Sequence, residues 1–114
     1  MTLADRACVL CPAGTLPLDA NSIADLLTQV GSGWQLNADG HLQREYGFGN
    51  FVAAMAFANR VADVAEAENH HPDLTVRWGR CKVEIWTHKI GGLTESDFFF
   101  AAKADRAFEL CQSK

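Results

Sequence analysis

Residues 50–72, NFVAAMAFANRVADVAEAENHHP, decide how this chain folds, because they combine a long helical pattern with an abrupt stop. Asn50 is a favourable N-cap residue, and apolar side chains then recur at every third or fourth position, at Phe51, Met55, Ala58, Ala62 and Ala65. Pro72 disfavours helical backbone at the residue before it, so the helix is predicted to end near Glu68. The pair His70-His71 therefore lies in a connection between a helix and a strand.

The segments beyond this helix show strand and hairpin patterns. Residues 75–78 and 81–87 follow it, and the second run alternates apolar and polar side chains as a half-buried strand requires. Before the helix, residues 34–37 and 41–46 flank Asp39-Gly40, a strong signal for a two-residue hairpin turn. Two antiparallel hairpins are therefore predicted, one on each side of the helix.

Two further helices enclose these hairpins. The first is predicted from Asp19 to a stop at Gly31, and the last from Thr94 to about Cys111. The order helix, hairpin, helix, hairpin, helix predicts an α+β fold, in which three helices pack on one face of a four-stranded antiparallel sheet. Residues 1–114 are expected to form a single domain, with residues 1–18 as an extended N-terminal arm.

Composition excludes several classes of protein. The chain has 48% hydrophobic and 21% charged residues, which is typical of a globular domain. Its net charge of −4 and scattered basic residues argue against nucleic acid as a partner. No apolar run approaches the roughly 20 residues that cross a bilayer, so we expect a cytoplasmic protein without membrane contact. Its four cysteines are then expected to be free thiols: Cys8, Cys11, Cys81 and Cys111.

Three of the four histidines fall within residues 70–88, whereas His41 stands alone in a predicted strand. If the hairpin folds back, His88 can meet His70 and His71 around one pocket, where imidazoles can donate and accept protons near neutral pH. Surface histidines at a turn are a simpler interpretation. Zinc binding is less favoured, because only the Cys8-x-x-Cys11 pair has metal-site spacing. Asp97 is interpreted first as a helix-capping residue that can also orient a histidine.

The spacing Glu66-x-x-x-His70-His71-Pro72, followed by Trp78, His88 and Asp97, resembles the signature of the pterin-4a-carbinolamine dehydratases. Residues 82–94, KVEIWTHKIGGLT, also resemble bacterial members, and the similarity spans essentially the whole chain. The resemblance implies removal of water from 4a-hydroxytetrahydrobiopterin to give quinonoid dihydrobiopterin, in the recycling of a pterin oxidised by an aromatic amino acid hydroxylase. It implies no metal ion or organic cofactor, and a homodimer or homotetramer.

The resemblance also implies roles for individual residues. His70 and His88 correspond to the acid and base, and His71 completes the catalytic set as the residue that binds or orients the pterin. Glu66 is expected to hold His70 in its useful tautomer. The implied substrate-binding residues are Glu66, Asn69, Pro72, Trp86, Thr87, Lys89 and Asp97. The alternative is a pterin-binding or protein-interaction role with little turnover, since animal relatives also act as dimerisation cofactors of a homeodomain transcription factor.

Overall fold

The computed structural model describes residues 3–5 and 16–112. Their elements follow the predicted order and confirm the α+β fold with three helices and a four-stranded antiparallel sheet. The elements are α1 (Ala20–Leu27), β1 (Gln35–Leu36), β2 (Leu42–Gly47), α2 (Phe51–Glu68), β3 (Asp73–Arg77), β4 (Arg80–Ile85) and α3 (Glu95–Gln112). None of the described helices is long and apolar enough to span a membrane.

The strands lie in the order β1-β2-β4-β3, so the two hairpins join through β2 and β4. Leu42 pairs with Ile85 in this central contact, and Asp73 pairs with Glu84 on the other side of β4. Along β4, Cys81, Val83 and Ile85 are buried beneath the helices, while the intervening residues are partly exposed on the opposite face. β1 and β3 are the edges of the sheet.

The core lies between the sheet and the two long helices. An aromatic cluster of Tyr46, Phe57 and Phe108 joins β2 to α2 and α3, with ring centroids 4.5 to 5.9 Å apart. Burial of such rings supplies much of the hydrophobic stabilisation of a small domain. α3 contributes a further run of buried residues close to its start, at Phe98, Phe99, Phe100 and Ala101.

The predicted apolar face of α2 is partly wrong. Phe51 and Met55 are 46% and 37% exposed, and the buried residues of the helix are instead Ala54, Phe57, Ala58, Val61 and Ala65. Because alanine occurs on several faces of this helix, apolar periodicity does not single out one stripe. Packing of the larger Phe57 and Val61 side chains decides which face meets the sheet.

The remaining differences concern element ends. β4 ends at Ile85, two residues before the predicted Thr87, and β1 is limited to two residues. Leu3–Asp5 form a 3-10 turn that packs on α3, where Lys103 Nζ donates a hydrogen bond of 2.7 Å to the carbonyl oxygen of Ala4. The rest of the predicted arm up to residue 15, with Cys8 and Cys11, lies outside the described residues.

Candidate active site

The C-terminus of α2 places the histidine pair. Asn69 takes a left-handed conformation (φ 52°, ψ 43°), which asparagine tolerates better than most residues. The backbone N–H groups of Asn69 and His70 both donate to the carbonyl oxygen of Ala65, and this closes the last turn. The chain changes direction here, just before the half-buried Pro72, as the proline predicted.

His70 is held by a buried carboxylate. Its Nε2 atom lies 2.6 Å from Oδ1 of Asp97, whose side chain is fully buried, while the His70 side chain is 15% exposed. The ring also meets Phe100 edge-on at 6.1 Å. A carboxylate at Nε2 places the proton of a neutral imidazole on that nitrogen and leaves Nδ1 free to accept a proton. The contact fixes the orientation of the His70 ring.

Asp97 also caps α3. Its second oxygen, Oδ2, accepts hydrogen bonds from the backbone N–H of Thr94 (2.8 Å) and from the Thr87 hydroxyl (2.9 Å). The Thr87 and Thr94 hydroxyls lie 3.0 Å apart, so the two threonines and the carboxylate form one buried network. The capping interpretation and the histidine-orienting interpretation of Asp97 are therefore both correct. One carboxylate joins the end of β4, the start of α3 and His70.

Glu66 does not hold His70, contrary to the prediction. Its Oε2 atom lies 2.7 Å from Nε2 of His71, and the two side chains are 79% and 54% exposed, respectively. Four residues separate Glu66 from His70, about one helical turn, but α2 ends at Glu68 and the left-handed Asn69 redirects the chain. The exposed pair places His71 at the surface beside the His70–Asp97 pair.

His88 lies in a tight turn after β4. Thr87 pairs with Gly92 across this turn, and Gly91 takes a positive φ of 69°. The His88 ring is exposed and stacks on Trp86 with centroids 4.2 Å apart, and the neighbouring Lys89 is also exposed. Since Thr87 donates to Asp97, the residue adjoining His88 shares a carboxylate with His70. Thr87 and His70 are thus joined through Asp97, whereas the described residues show no contact between the His88 ring and His70 or His71. The meeting of the three histidines around one pocket stays a prediction.

The chain is similar to known proteins over most of its length. The family model described as Pterin 4 alpha carbinolamine dehydratase matches residues 16–107. The chain belongs to the pterin-4-alpha-carbinolamine dehydratase family. A relative from Rickettsia bellii, named "Putative pterin-4-alpha-carbinolamine dehydratase", is 51% identical over 91% of this chain and 92% of its own length. A relative of the same name from Alkaliphilus metalliredigens is 44% identical over 91% of this chain and 94% of its own length.

A solved structure confirms the fold of the dehydratase family. The transcriptional coactivator/pterin dehydratase from Brucella melitensis superposes with a TM-score of 0.74 at 28% identity. The match covers 80% of this chain and 97% of that one.

The sequence did not predict that His41 contacts Trp86 and Glu84. The His41 ring stacks on Trp86 with centroids 3.7 Å apart and planes 3° apart, and its Nδ1 lies 2.6 Å from Oε2 of Glu84. This hydrogen bond holds the pKa of Glu84 below its usual range. The pairing of β2 with β4 brings His41 opposite Trp86, and no local pattern in the sequence reveals a pairing between different hairpins.

One group of potential metal ligands is present among the described residues. Ligand atoms of Asp39, His41 and Glu84 lie within 4.8 Å of one another. Oε2 of Glu84 already accepts hydrogen bonds from His41 and from the side-chain amide of Asn37 (2.9 Å). These hydrogen bonds within the protein explain why His41 and Glu84 lie close together without a metal ion. A cavity of about 540 Å³ lies away from the histidines and is lined in part by Phe48, Arg60 and Arg80.

Proposed function

We propose that this chain catalyses the dehydration of 4a-hydroxytetrahydrobiopterin to quinonoid dihydrobiopterin. The observation that supports it most strongly is the 2.6 Å contact between Nε2 of His70 and the buried carboxylate of Asp97. This contact leaves the other nitrogen of an oriented imidazole available to a substrate. Membership of the dehydratase family supports the choice of a pterin as that substrate.

The proposed reaction breaks the bond between C4a and its hydroxyl group. The lone pair of the adjacent ring nitrogen forms the new C=N bond, while an imidazolium protonates the departing hydroxyl so that it leaves as water. A neutral imidazole then removes the proton from that ring nitrogen. His70 and His88 are the proposed acid and base, and each contributes roughly 10²- to 10⁴-fold in rate. The reaction uses no metal ion or organic cofactor in this proposal.

The remaining predicted residues are proposed to line the pterin site. His71 lies next to His70 with an exposed ring, and Lys89 lies next to His88 in the turn. Asn69 and Pro72 flank the histidine pair, and Trp86 presents an aromatic surface beside His88. Glu66 reaches the same site through its contact with His71. Thr87 and Asp97 are buried, so their proposed contribution is to support the histidines from beneath.

The test is a stopped-flow dehydration assay on 4a-hydroxytetrahydropterin generated by an aromatic amino acid hydroxylase. His70→Ala and His88→Ala are each expected to slow dehydration by about 10² or more. His71→Ala serves as a matched comparison and is expected to raise KM more than it lowers kcat. Circular dichroism checks that each variant is folded. Wild-type rates in the double variant His70→Ala/His88→Ala would contradict the proposal.

A second candidate function is protein interaction with little turnover. The observation that favours it is the description of the Brucella melitensis neighbour as a transcriptional coactivator as well as a pterin dehydratase. The dehydration assay, combined with tryptophan fluorescence, separates the two functions. In a protein that only binds the pterin, added pterin would quench the tryptophan fluorescence, but dehydration would stay at its uncatalysed rate. Turnover well above that rate supports the dehydratase.

We also propose that the chain assembles into a homodimer or homotetramer. Phe51, Val52 and Met55 are exposed apolar side chains at the start of α2, and Val52 is 76% exposed. Exposed apolar clusters commonly mark interfaces. Val52→Lys is expected to lower the mass measured by light scattering on a sizing column, whereas Asn21→Lys, at an exposed polar position on α1, is the control. An unchanged mass in Val52→Lys would place the interface elsewhere, for example at the β3 edge.

A further inference from the structure

Three aromatic rings form a continuous stack beside the proposed active site. His41 lies 3.7 Å from Trp86, and Trp86 lies 4.2 Å from His88, measured between ring centroids. We infer that His41 and Glu84 are positioning residues for the proposed dehydration, which act through Trp86 on the ring of His88. This inference rests on the proposed function, because it assigns His88 an acid or base role.

His41 is itself fixed from two directions. It directly precedes Leu42, whose register partner is Ile85, and so it faces Trp86 across the β2–β4 pair. Glu84 lies two residues before Trp86, on the same face of β4, and its Oε2 accepts the 2.6 Å hydrogen bond from Nδ1 of His41. The His41 and Glu84 side chains are only 18% and 15% exposed. A ring that is buried to this extent and hydrogen-bonded has little rotational freedom.

Glu84 is held as firmly as His41. The side-chain amide of Asn37 donates to Oε2 of Glu84 at 2.9 Å and to Oε1 of Gln43 at 3.0 Å. Lys82 Nζ lies 4.0 Å from the other carboxylate oxygen of Glu84. The carboxylate is therefore held by Asn37 and His41 from the turn between β1 and β2, and Lys82 of β4 lies beside it. An anchored carboxylate transmits a fixed position to the imidazole that it binds.

The fixed position of Trp86 determines how the His88 ring is oriented. Within the described part of the chain, the contact recorded for the His88 ring is its stack on Trp86, with an interplanar angle of 30°. His88 is exposed and lies in a turn, so its backbone alone does not select one ring orientation. With His41 parallel to the indole at 3°, Trp86 cannot swing towards β2. Trp86 therefore remains a fixed surface against which His88 rests.

The test combines kinetics with NMR of the histidine rings, in which His88→Ala identifies the His88 resonances. Stacking on Trp86 shifts these resonances through the indole ring current, and His41→Ala is expected to reduce that shift. The kcat is expected to fall about fivefold with KM nearly unchanged, a size typical of coupling between touching residues. His41→Phe, which keeps an aromatic ring on Trp86, should restore most of both signals, and Glu84→Gln should reproduce a smaller form of the loss.

The control is Gln35→Ala, at an exposed position of the neighbouring strand β1 that lies outside the stack and outside the Glu84 contacts described above. It is expected to leave the His88 resonances and kcat unchanged. Unchanged His88 resonances in His41→Ala would overturn the inference, and so would a fall in kcat with no change in those resonances. Failure of the proposed function looks different, because His88→Ala would then dehydrate the substrate at the wild-type rate.

Discussion

Nε2 of His70 lies 2.6 Å from Oδ1 of Asp97, and the same carboxylate accepts the backbone N–H of Thr94 at the start of α3. Orientation of the proposed acid–base group and capping of a helix therefore depend on one side chain. Asp97 is fully buried, so water cannot replace it in either role. Substitution at this position should affect both activity and stability.

Asp97→Asn is predicted to lower the rate of dehydration by roughly 10². The amide keeps the size of the side chain but removes the negative charge that stabilises a protonated His70. It also loses one acceptor oxygen of the buried network, so the free energy of unfolding should fall by about 1–3 kcal/mol. Stopped-flow assays and urea denaturation measure the two effects. Full activity in a folded Asp97→Asn protein would show that the contact with His70 has no role in turnover.

Glu66→Gln is the matched comparison, since it removes the charge of the carboxylate that contacts the neighbouring histidine, His71. The Glu66–His71 pair is mostly exposed, and pairs of this kind contribute about 0–1 kcal/mol to stability. We predict a change in unfolding free energy within that range and an effect on KM rather than on kcat. A loss of kcat as large as that of Asp97→Asn would contradict the assignment of Asp97, and not Glu66, as the partner of His70.

Stability should depend on pH through Glu84. Its hydrogen bond with His41 lowers its folded-state pKa below the ordinary value of 4.5. The stabilisation is then fully present above pH 4.5 and is lost as the pH falls through the lower folded pKa. Urea denaturation from about pH 6 to about pH 3 should show a steeper loss for the wild type than for Glu84→Gln. Parallel curves for the two proteins would contradict this.

Asp105 is predicted to be a principal determinant of stability away from the site. Its carboxylate accepts hydrogen bonds from four donors, at Gly31 N, Trp34 Nε1, Arg44 Nη1 and Tyr46 Oη. Asp105→Ala would leave the buried Tyr46 hydroxyl and the Arg44 charge without their acceptor, at a cost of about 3 kcal/mol or more. Tyr46→Phe, which leaves three donors on the carboxylate, should cost only about 1 kcal/mol. Equal losses in the two variants, measured by urea denaturation, would contradict this account.

Local chemistry was sufficient to predict the elements. Asn50 caps α2 through a 2.8 Å hydrogen bond from the N–H of Ala53. The predicted hairpin forms at Asp39-Gly40, but its turn is longer than two residues: the N–H of Gly40, which has a positive φ of 77°, donates to the carbonyl oxygen of Asn37 at 3.0 Å. Both features depend on residues within three positions of each other. Such short-range preferences depend little on residues far away in the sequence, which is why the order of helices and hairpins followed from the sequence.

Tertiary structure alone decided the partners of the site residues. Glu66 was expected to bind His70 and binds His71, because the left-handed Asn69 redirects the chain. The buried face of α2 differed from its apolar pattern, because many alanines leave the choice to packing.

The histidines show the same division. The sequence by itself determined that His70 and His71 follow a helix and that His88 follows a strand, since proline and strand alternation act locally. Only the tertiary structure placed Asp97 against His70 and His41 against Trp86. Those contacts join residues 27 and 45 positions apart, and they depend on how β2 meets β4 and where α3 begins. Contacts of that range are determined by the packing of the whole core and not by neighbouring residues.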